Sequence, residues 1–196
     1  MRKLIVSEWM SLDGVVQAPA YPDEDRSGGF KNGGWHRPYL DETAMKWNLE
    51  AITRAGGFVL GRGTYEMFAA HWPKASAEER PLAELLNQKP KYVASRTLAT
   101  PLAWQNSTLL GADVGEAVAG LKQQKGGDLL VIGSPQLVST LLARELVDEL
   151  RLMLDPVVLG GGKRFFRDDG ALRKLHLAQS QATPAGALLL RYERRD

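Results

Sequence analysis

Three short segments carry residues whose chemistry is anion binding, and each begins where an apolar run ends. Gly61-Arg62-Gly63-Thr64 follows Phe58-Val59-Leu60, Ser95-Arg96-Thr97 follows Lys91-Tyr92-Val93-Ala94, and Gly133-Ser134-Pro135 follows Leu129-Leu130-Val131-Ile132. A glycine lets a ligand approach the backbone, a helix start exposes unpaired amides, and an arginine fork matches two phosphate oxygens. Taken alone, the first segment reads equally well as an ordinary strand-to-helix turn with a solvated Arg62. Taken together, three junctions at strand ends fit the carboxyl edge of an α/β sheet, where nucleotides bind. Asp13, in Ser11-Leu12-Asp13-Gly14 at the end of the first apolar run, either holds a substrate or caps its own turn.

The elements that must position these residues follow from the apolar pattern. Strands are predicted from about Lys3 to Trp9, through Phe58-Leu60, at Lys91-Ala94, Asn106-Leu110, Asp128-Ile132 and Leu146-Leu154. The near-continuous apolar run at Asp128-Ile132 is that of a strand covered on both faces. Helices are predicted from Asp41 to Ala55 with Asp41 as N-cap, from Gly63 to about Ala70, at Pro81-Leu86, from Val114 to Lys125 and from Gln136 to Ala143. The second helix must stop before Trp72-Pro73, because the residue ahead of a proline is driven out of helical geometry. The tail alternates as two antiparallel strands, Leu172-Gln181 and Ala187-Tyr192, around a turn at Pro184-Ala185-Gly186.

Two stretches resist regular structure. Residues 17–38 are rich in Gly, Pro and charge, and a loop this long inside a compact domain reads as a lid. Its aromatics Tyr21, Phe30 and Trp35, with Tyr39 beyond them, either cover a planar substrate or tack the loop to the surface or to a second subunit. The run Gly160-Gly161-Gly162 implies either unusual backbone angles or a flexible connection.

Composition excludes several classes. With 196 residues, of which 44% are hydrophobic, the chain is expected to form a single domain over 1–196. A net charge of +2 gives no global field for nucleic acid or an anionic membrane. The absence of cysteine removes disulfides, thiolate nucleophiles and thiolate metal sites, and the three histidines, His36, His71 and His176, have no ligand spacing, so no metal is expected. No membrane span or signal-peptide pattern is present, and a cytoplasmic location is expected.

Five segments together resemble one known family. Ser11-Leu12-Asp13-Gly14, Gly61-Arg62-Gly63-Thr64-Tyr65-Glu66, Ser95-Arg96-Thr97-Leu98, Gly133-Ser134-Pro135-Gln136-Leu137, and Leu146-Val147-Asp148-Glu149-Leu150 with Pro156-Val157-Val158-Leu159-Gly160 occur in the order found in the dihydrofolate-reductase-like family. The branch they resemble is the RibD C-terminal, riboflavin-biosynthesis reductase domain, in stand-alone form. The resemblance implies an α/β fold of three αβα layers, a mixed and mainly parallel sheet with antiparallel C-terminal strands. It implies NADPH as cofactor and hydride transfer to a small heterocycle, as in 5-amino-6-(5-phosphoribosylamino)uracil reductase or dihydrofolate reductase. A cofactor-binding module of the same fold without turnover is the alternative.

Carried over by resemblance, the cofactor residues are Gly61, Arg62, Thr64, Ser95, Arg96 and Thr97 at the adenosine phosphates, and Gly133, Ser134 and Leu137 at the pyrophosphate. An arginine, Arg62 or Arg96, would meet the 2′-phosphate that NADH lacks. Asp13 is the candidate catalytic acid, to orient substrate or relay a proton, and a homodimer is expected. Two departures stand out. The Trp- and Pro-rich approach to the catalytic acid of dihydrofolate reductases is missing, although Asp41 or Glu42 begins a helix at a comparable place. The zinc deaminase that accompanies the reductase in the bifunctional enzyme is excluded by the lack of cysteine.

Overall fold

A computed structural model describes residues 1–195. The chain divides into two compact units that interleave in sequence, unit 1 from Met1–Val6 and Leu49–Asp148, unit 2 from Ser7–Asn48 and Glu149–Asp196. Strand β1 (Leu4–Ser11) and helix α1 (Glu42–Arg54) run from one unit into the other, which is why no cut in sequence separates them. The fold is α/β, with eight strands in a mixed, mainly parallel sheet.

Unit 1 holds β2 (Gly57–Gly61), α2 (Arg62–His71), α3 (Arg80–Gln88), β3 (Lys91–Ala94), β4 (Ser107–Leu109), α4 (Val114–Gln123), β5 (Leu129–Ile132) and α5 (Pro135–Ala143). Its strand order is β4-β3-β2-β5-β1. β2 pairs in parallel with β3 and with β5, so their carboxyl ends emerge on one edge. Phe58, Leu60, Tyr65, Leu86, Val93, Trp104 and Leu130 form its core. Helix α2 starts at the residue after β2 and gives way at Trp72 to a short 3-10 turn, Trp72–Lys74, as Pro73 dictates. Asp113 caps α4 by accepting the Glu116 amide at 3.0 Å. Lys89 caps the end of α1, its Nζ donating to the carbonyls of Ile52, Thr53 and Ala55 at 2.6, 2.7 and 2.7 Å.

In unit 2 the strand order runs on from β1 as β1-β6-β8-β7, with β6 (Glu149–Asp155), β7 (Leu175–Ala182) and β8 (Leu188–Arg194). β7–β8 is antiparallel, as the alternating tail predicted, and β6–β8 is antiparallel as well. Ala44, Trp47, Met153, Ala187 and Leu189 form the core. Asp41 accepts the Ala44 amide at 3.0 Å, so it is the N-cap that the sequence predicted for α1. Strand β6 was expected from Leu146 and starts three residues later. The chain after α5 first makes a turn in which the Leu146 amide donates to the Leu141 carbonyl at 3.0 Å.

The segment 17–38 is a fastened loop containing a 3-10 turn at Ser27–Gly29. Gln17 ties it down: Nε2 donates to the carbonyls of Asp25 and Ser27 at 3.0 and 2.9 Å, and Oε1 accepts the Lys163 amide at 3.0 Å. Trp35 is buried with Nε1 donating to the Gln17 carbonyl at 2.8 Å, so it tacks the loop down. Among the described residues no helix is long and apolar enough to cross a membrane.

Candidate functional site

The three junctions of unit 1 lie side by side because their strands do. Parallel registers set Gly61 beside Ala94, and Val59 beside Val131, so the turns at 61–64, 95–97 and 133–134 leave neighbouring strand ends. Helices α2 and α5 both begin there, and neither has a side-chain cap on its first amides. Two helix starts with unpaired N–H groups make a positively biased, water-facing concentration of donors.

Ser134 joins the two. Its backbone is left-handed, with φ 63° and ψ 49°, and it stands at the N-cap of α5. Its Oγ accepts the Gly61 amide at 2.9 Å and donates to Thr64 Oγ1 at 3.0 Å. The Ile132 carbonyl is also within 3.3 Å. Gly133 before it has φ 57°, and a Cβ there would come 3.3 Å from Thr64 Oγ1. A Cβ on Gly61 would fall 3.2 Å from Ser134 Cβ and 3.8 Å from Leu137 Cβ. A side chain at Gly61 would be tight, one at Gly133 would be tight and held at a positive φ, and Leu137 is buried.

Arg62, the first residue of α2, and Arg96 are exposed. Ser95 shapes the third turn by accepting the amides of Thr97 and Leu98 at 3.1 and 3.0 Å. Gly61, Thr64, Gly133, Ser134 and Leu137 thus share one cluster, while Ser95, Arg96 and Thr97 form the turn at the end of the next strand. Uncapped helix amides, bare glycine backbone and two exposed guanidinium groups suit the phosphates of a dinucleotide.

Unit 2 holds Asp13, and its carboxylate is fully engaged. Oδ1 accepts the Ser11 hydroxyl at 2.7 Å and the Leu159 amide at 3.1 Å, and Oδ2 accepts the Gly160 amide at 3.0 Å. The Ser11 hydroxyl first, then these amides, hold its pKa below the usual carboxylate value. Arg164 donates to the Asp13 carbonyl oxygen. Asp13 is therefore an ionised brace for the Leu159-Gly160 end of the glycine run, which is poor equipment for giving up a proton.

That glycine run and the 17–38 loop border an open surface pocket of about 580 Å³. Gln17, Phe30, Lys31, Gly161 and Lys163 are among its walls. Lys163 Nζ pairs with Asp25 Oδ2 at 2.6 Å. Burial raises the Asp25 pKa, but Lys163 and Ser27 outweigh it and hold the group at about 2.

A further feature of unit 2 has no signal in the sequence. His36 Nδ1 lies 2.8 Å from Asp155 Oδ2, with both side chains buried. The two residues are 119 positions apart, and their pairing depends on how the loop returns to β6.

The model of the RibD C-terminal domain family matches residues 2–189. The Bacillus subtilis protein YyaP is 31% identical over 199 residues, covering 97% of this chain and 94% of that protein. Two solved structures share the fold. A pyrimidine reductase-like protein from Corynebacterium diphtheriae has a TM-score of 0.70 at 14% identity, covering 100% of this chain and 93% of that one. A diaminohydroxyphosphoribosylaminopyrimidine deaminase/5-amino-6-(5-phosphoribosylamino)uracil reductase from Thermotoga maritima has a TM-score of 0.66 at 12% identity, covering 99% of this chain and 57% of that longer one.

Proposed function

The chain belongs to the RibD C-terminal domain family, and on that premise we propose that it is an NADPH-dependent reductase acting on a small heterocyclic substrate. The observation that carries this reading is the pair of uncapped helix starts in unit 1, bound together through Ser134 and flanked by Arg62 and Arg96. Bound there, the cofactor supplies hydride for a C=N or C=O bond.

The residues of the chain supply position and charge. Gly61 would let the adenosine phosphates, and Gly133 the pyrophosphate, approach the backbone, and the free amides after Gly61 and after Pro135 at the starts of α2 and α5 would donate to them. Arg62 or Arg96 meets the 2′-phosphate, which sets the preference for NADPH over NADH. Leu137 fixes the start of α5 from behind. In unit 2, Asp13 holds the glycine run in shape and takes no proton.

That engagement of Asp13 is the one observation favouring a second reading, a cofactor-binding module without turnover. The two readings part on substrate: a panel of pterins, ribosylaminopyrimidines and carbonyl compounds yields no NADPH oxidation under the second and at least one rapid reduction under the first. The primary test is a titration with NADPH and NADH followed by cofactor fluorescence. Saturable binding, tighter for NADPH, is expected; no saturable NADPH binding overturns both readings.

A further inference from the structure

The open pocket of unit 2 is walled by two segments, 17–32 and 159–163, and no acid is among its lining residues, whereas Lys31 and Lys163 both are. The acids of the neighbouring loop are taken up by the loop itself. Asp23 pairs with Arg26, and Glu24 Oε2 accepts the amides of Ala20 and Tyr21 at 2.8 and 3.2 Å. Asp25 Oδ1 accepts the Ser27 amide and hydroxyl at 3.0 and 2.6 Å, and Oδ2 accepts Lys163 Nζ at 2.6 Å. An ammonium carries three donors, so Lys163 keeps two after that bond. Lys31 is exposed and makes no ion pair or hydrogen bond among the described residues. Phe30 and Leu159 give the pocket an apolar side.

The three consecutive glycines differ in what requires them. Gly160 stands at φ 74°, where glycine is favoured. Gly162 stands at φ 123°, and a Cβ there would fall 2.8 Å from Val15 Cγ1 and 3.0 Å from Phe30 Cε2. Gly161 has neither reason, because its φ lies outside the left-handed region and a Cβ there would meet nothing within 4 Å. The amides of the run divide in a similar way. Those of Leu159 and Gly160 donate to Asp13, and that of Lys163 donates to Gln17 Oε1. The amides of Gly161 and Gly162, the two glycines of the run that line the pocket, have no acceptor among the described residues. A glycine that neither backbone angle nor packing requires, beside two open amides and two ammonium groups, suits a ligand that comes close to the backbone.

We propose that this pocket binds the oxyanion group, phosphate or carboxylate, of a small molecule whose apolar body lies against Phe30 and Leu159. The Gly161 and Gly162 amides donate to the anion's oxygens, and Lys31 and Lys163 supply the opposite charge. The bare Cα of Gly161 leaves the room for that approach. Every group invoked belongs to unit 2, and none is among the cofactor residues of unit 1. The inference therefore goes beyond the reductase reading and does not rest on it.

Titration of cofactor-free, ¹⁵N-labelled protein with phenyl phosphate, benzoate and inorganic phosphate tests this through the backbone amide signals. Saturable shifts centred on Lys31, Gly161 and Gly162 are expected with at least one of the two aryl probes, and comparing those two tells phosphate from carboxylate. Inorganic phosphate, which has no apolar body, should bind more weakly. Gly161→Ala should weaken binding of the aryl probe by about tenfold while its denaturation midpoint stays that of the parent, since the added methyl meets open space. Lys31→Met, at an exposed side chain, should also weaken it by about tenfold and gives the comparison if Gly161→Ala does not fold. Three results overturn the proposal: no saturable shift with either aryl probe, shifts scattered over surface lysines as for an adventitious ion only, or both variants binding like the parent. A parent protein that takes up an aryl probe in this pocket but does not bind NADPH supports the pocket and overturns the reductase reading alone.

Discussion

Ser134 Oγ accepts the Gly61 amide at 2.9 Å and so ties the start of α5 to the end of β2. The bond comes from a residue held at φ 63°, a conformation that L side chains adopt only under constraint. The hydroxyl therefore offsets the strain of its own backbone. Ser134→Ala keeps the strain and orphans the Gly61 amide, and is expected to destabilise the fold by about 1–3 kcal/mol. Ser134→Gly loses the same bond but relieves the backbone, so it should be less destabilising than alanine. Chemical denaturation of the two variants measures the order; an alanine variant as stable as the glycine one would show that the hydroxyl, not the backbone angle, dominates.

Arg62 stands at the first position of α2, exposed, where a guanidinium and the helix amides address the same anion. Arg62→Ala is expected to weaken NADPH binding by about 1–3 kcal/mol, as for other charge-assisted contacts. The loss for NADH should be smaller. Isothermal titration with both cofactors decides it, and equal losses would move Arg62 off the 2′-phosphate and leave that role to Arg96.

The sequence was legible where local chemistry sufficed. Phe58-Val59-Leu60 and Leu129 to Ile132 are short apolar runs closed by glycine, and both are strands of the unit 1 sheet. The stop at Trp72-Pro73 and the Asp41 cap are likewise decided within a few residues. Less could be read where partners are distant. Leu146 looks like strand sequence, yet its amide is used to close the turn after α5. Asp13 reads as either a substrate-holding acid or a cap of its own turn, and its donors Leu159 and Gly160 lie 146 and 147 positions away. Ser134 looks like a mild departure from a second glycine, and its bridge to Gly61 and Thr64 exists only once β2 and β5 are neighbours. The histidines showed no spacing because His36 has its partner on β6.

Glu8 of β1 is buried with Oε2 unpartnered. Burial raises its pKa from 4.5 to about 8, with the charge of Glu24 adding to the effect. Between those values the unfolded chain has released the proton and the folded chain still holds it. The folded state then binds more protons, and this group's contribution to stability falls as pH rises from about 4.5 to about 8. Glu8→Gln keeps the shape of the neutral acid and should flatten that fall. Denaturation midpoints taken across the window measure it, and a slope unchanged by the substitution would assign the fall to other groups.

Lys91 produces the opposite slope in the next window. Its side chain is sealed at the start of β3, with Nζ donating to the carbonyls of Leu86 and Asn87 at 3.0 and 2.9 Å and lying 4.3 Å from the centre of a Trp104 ring. It caps the last turn of α3 from inside the core. Burial lowers its pKa from 10.5 to about 8. Above pH 8 the folded chain gives up this proton while the unfolded chain keeps it until about 10.5, so this group's contribution to stability rises with pH through that interval. Lys91→Met keeps an unbranched apolar side chain at this buried position and removes the titration. The variant should lack the rise between pH 8 and 10.5, and its denaturation midpoints compared with those of the parent at both ends of that range test the point.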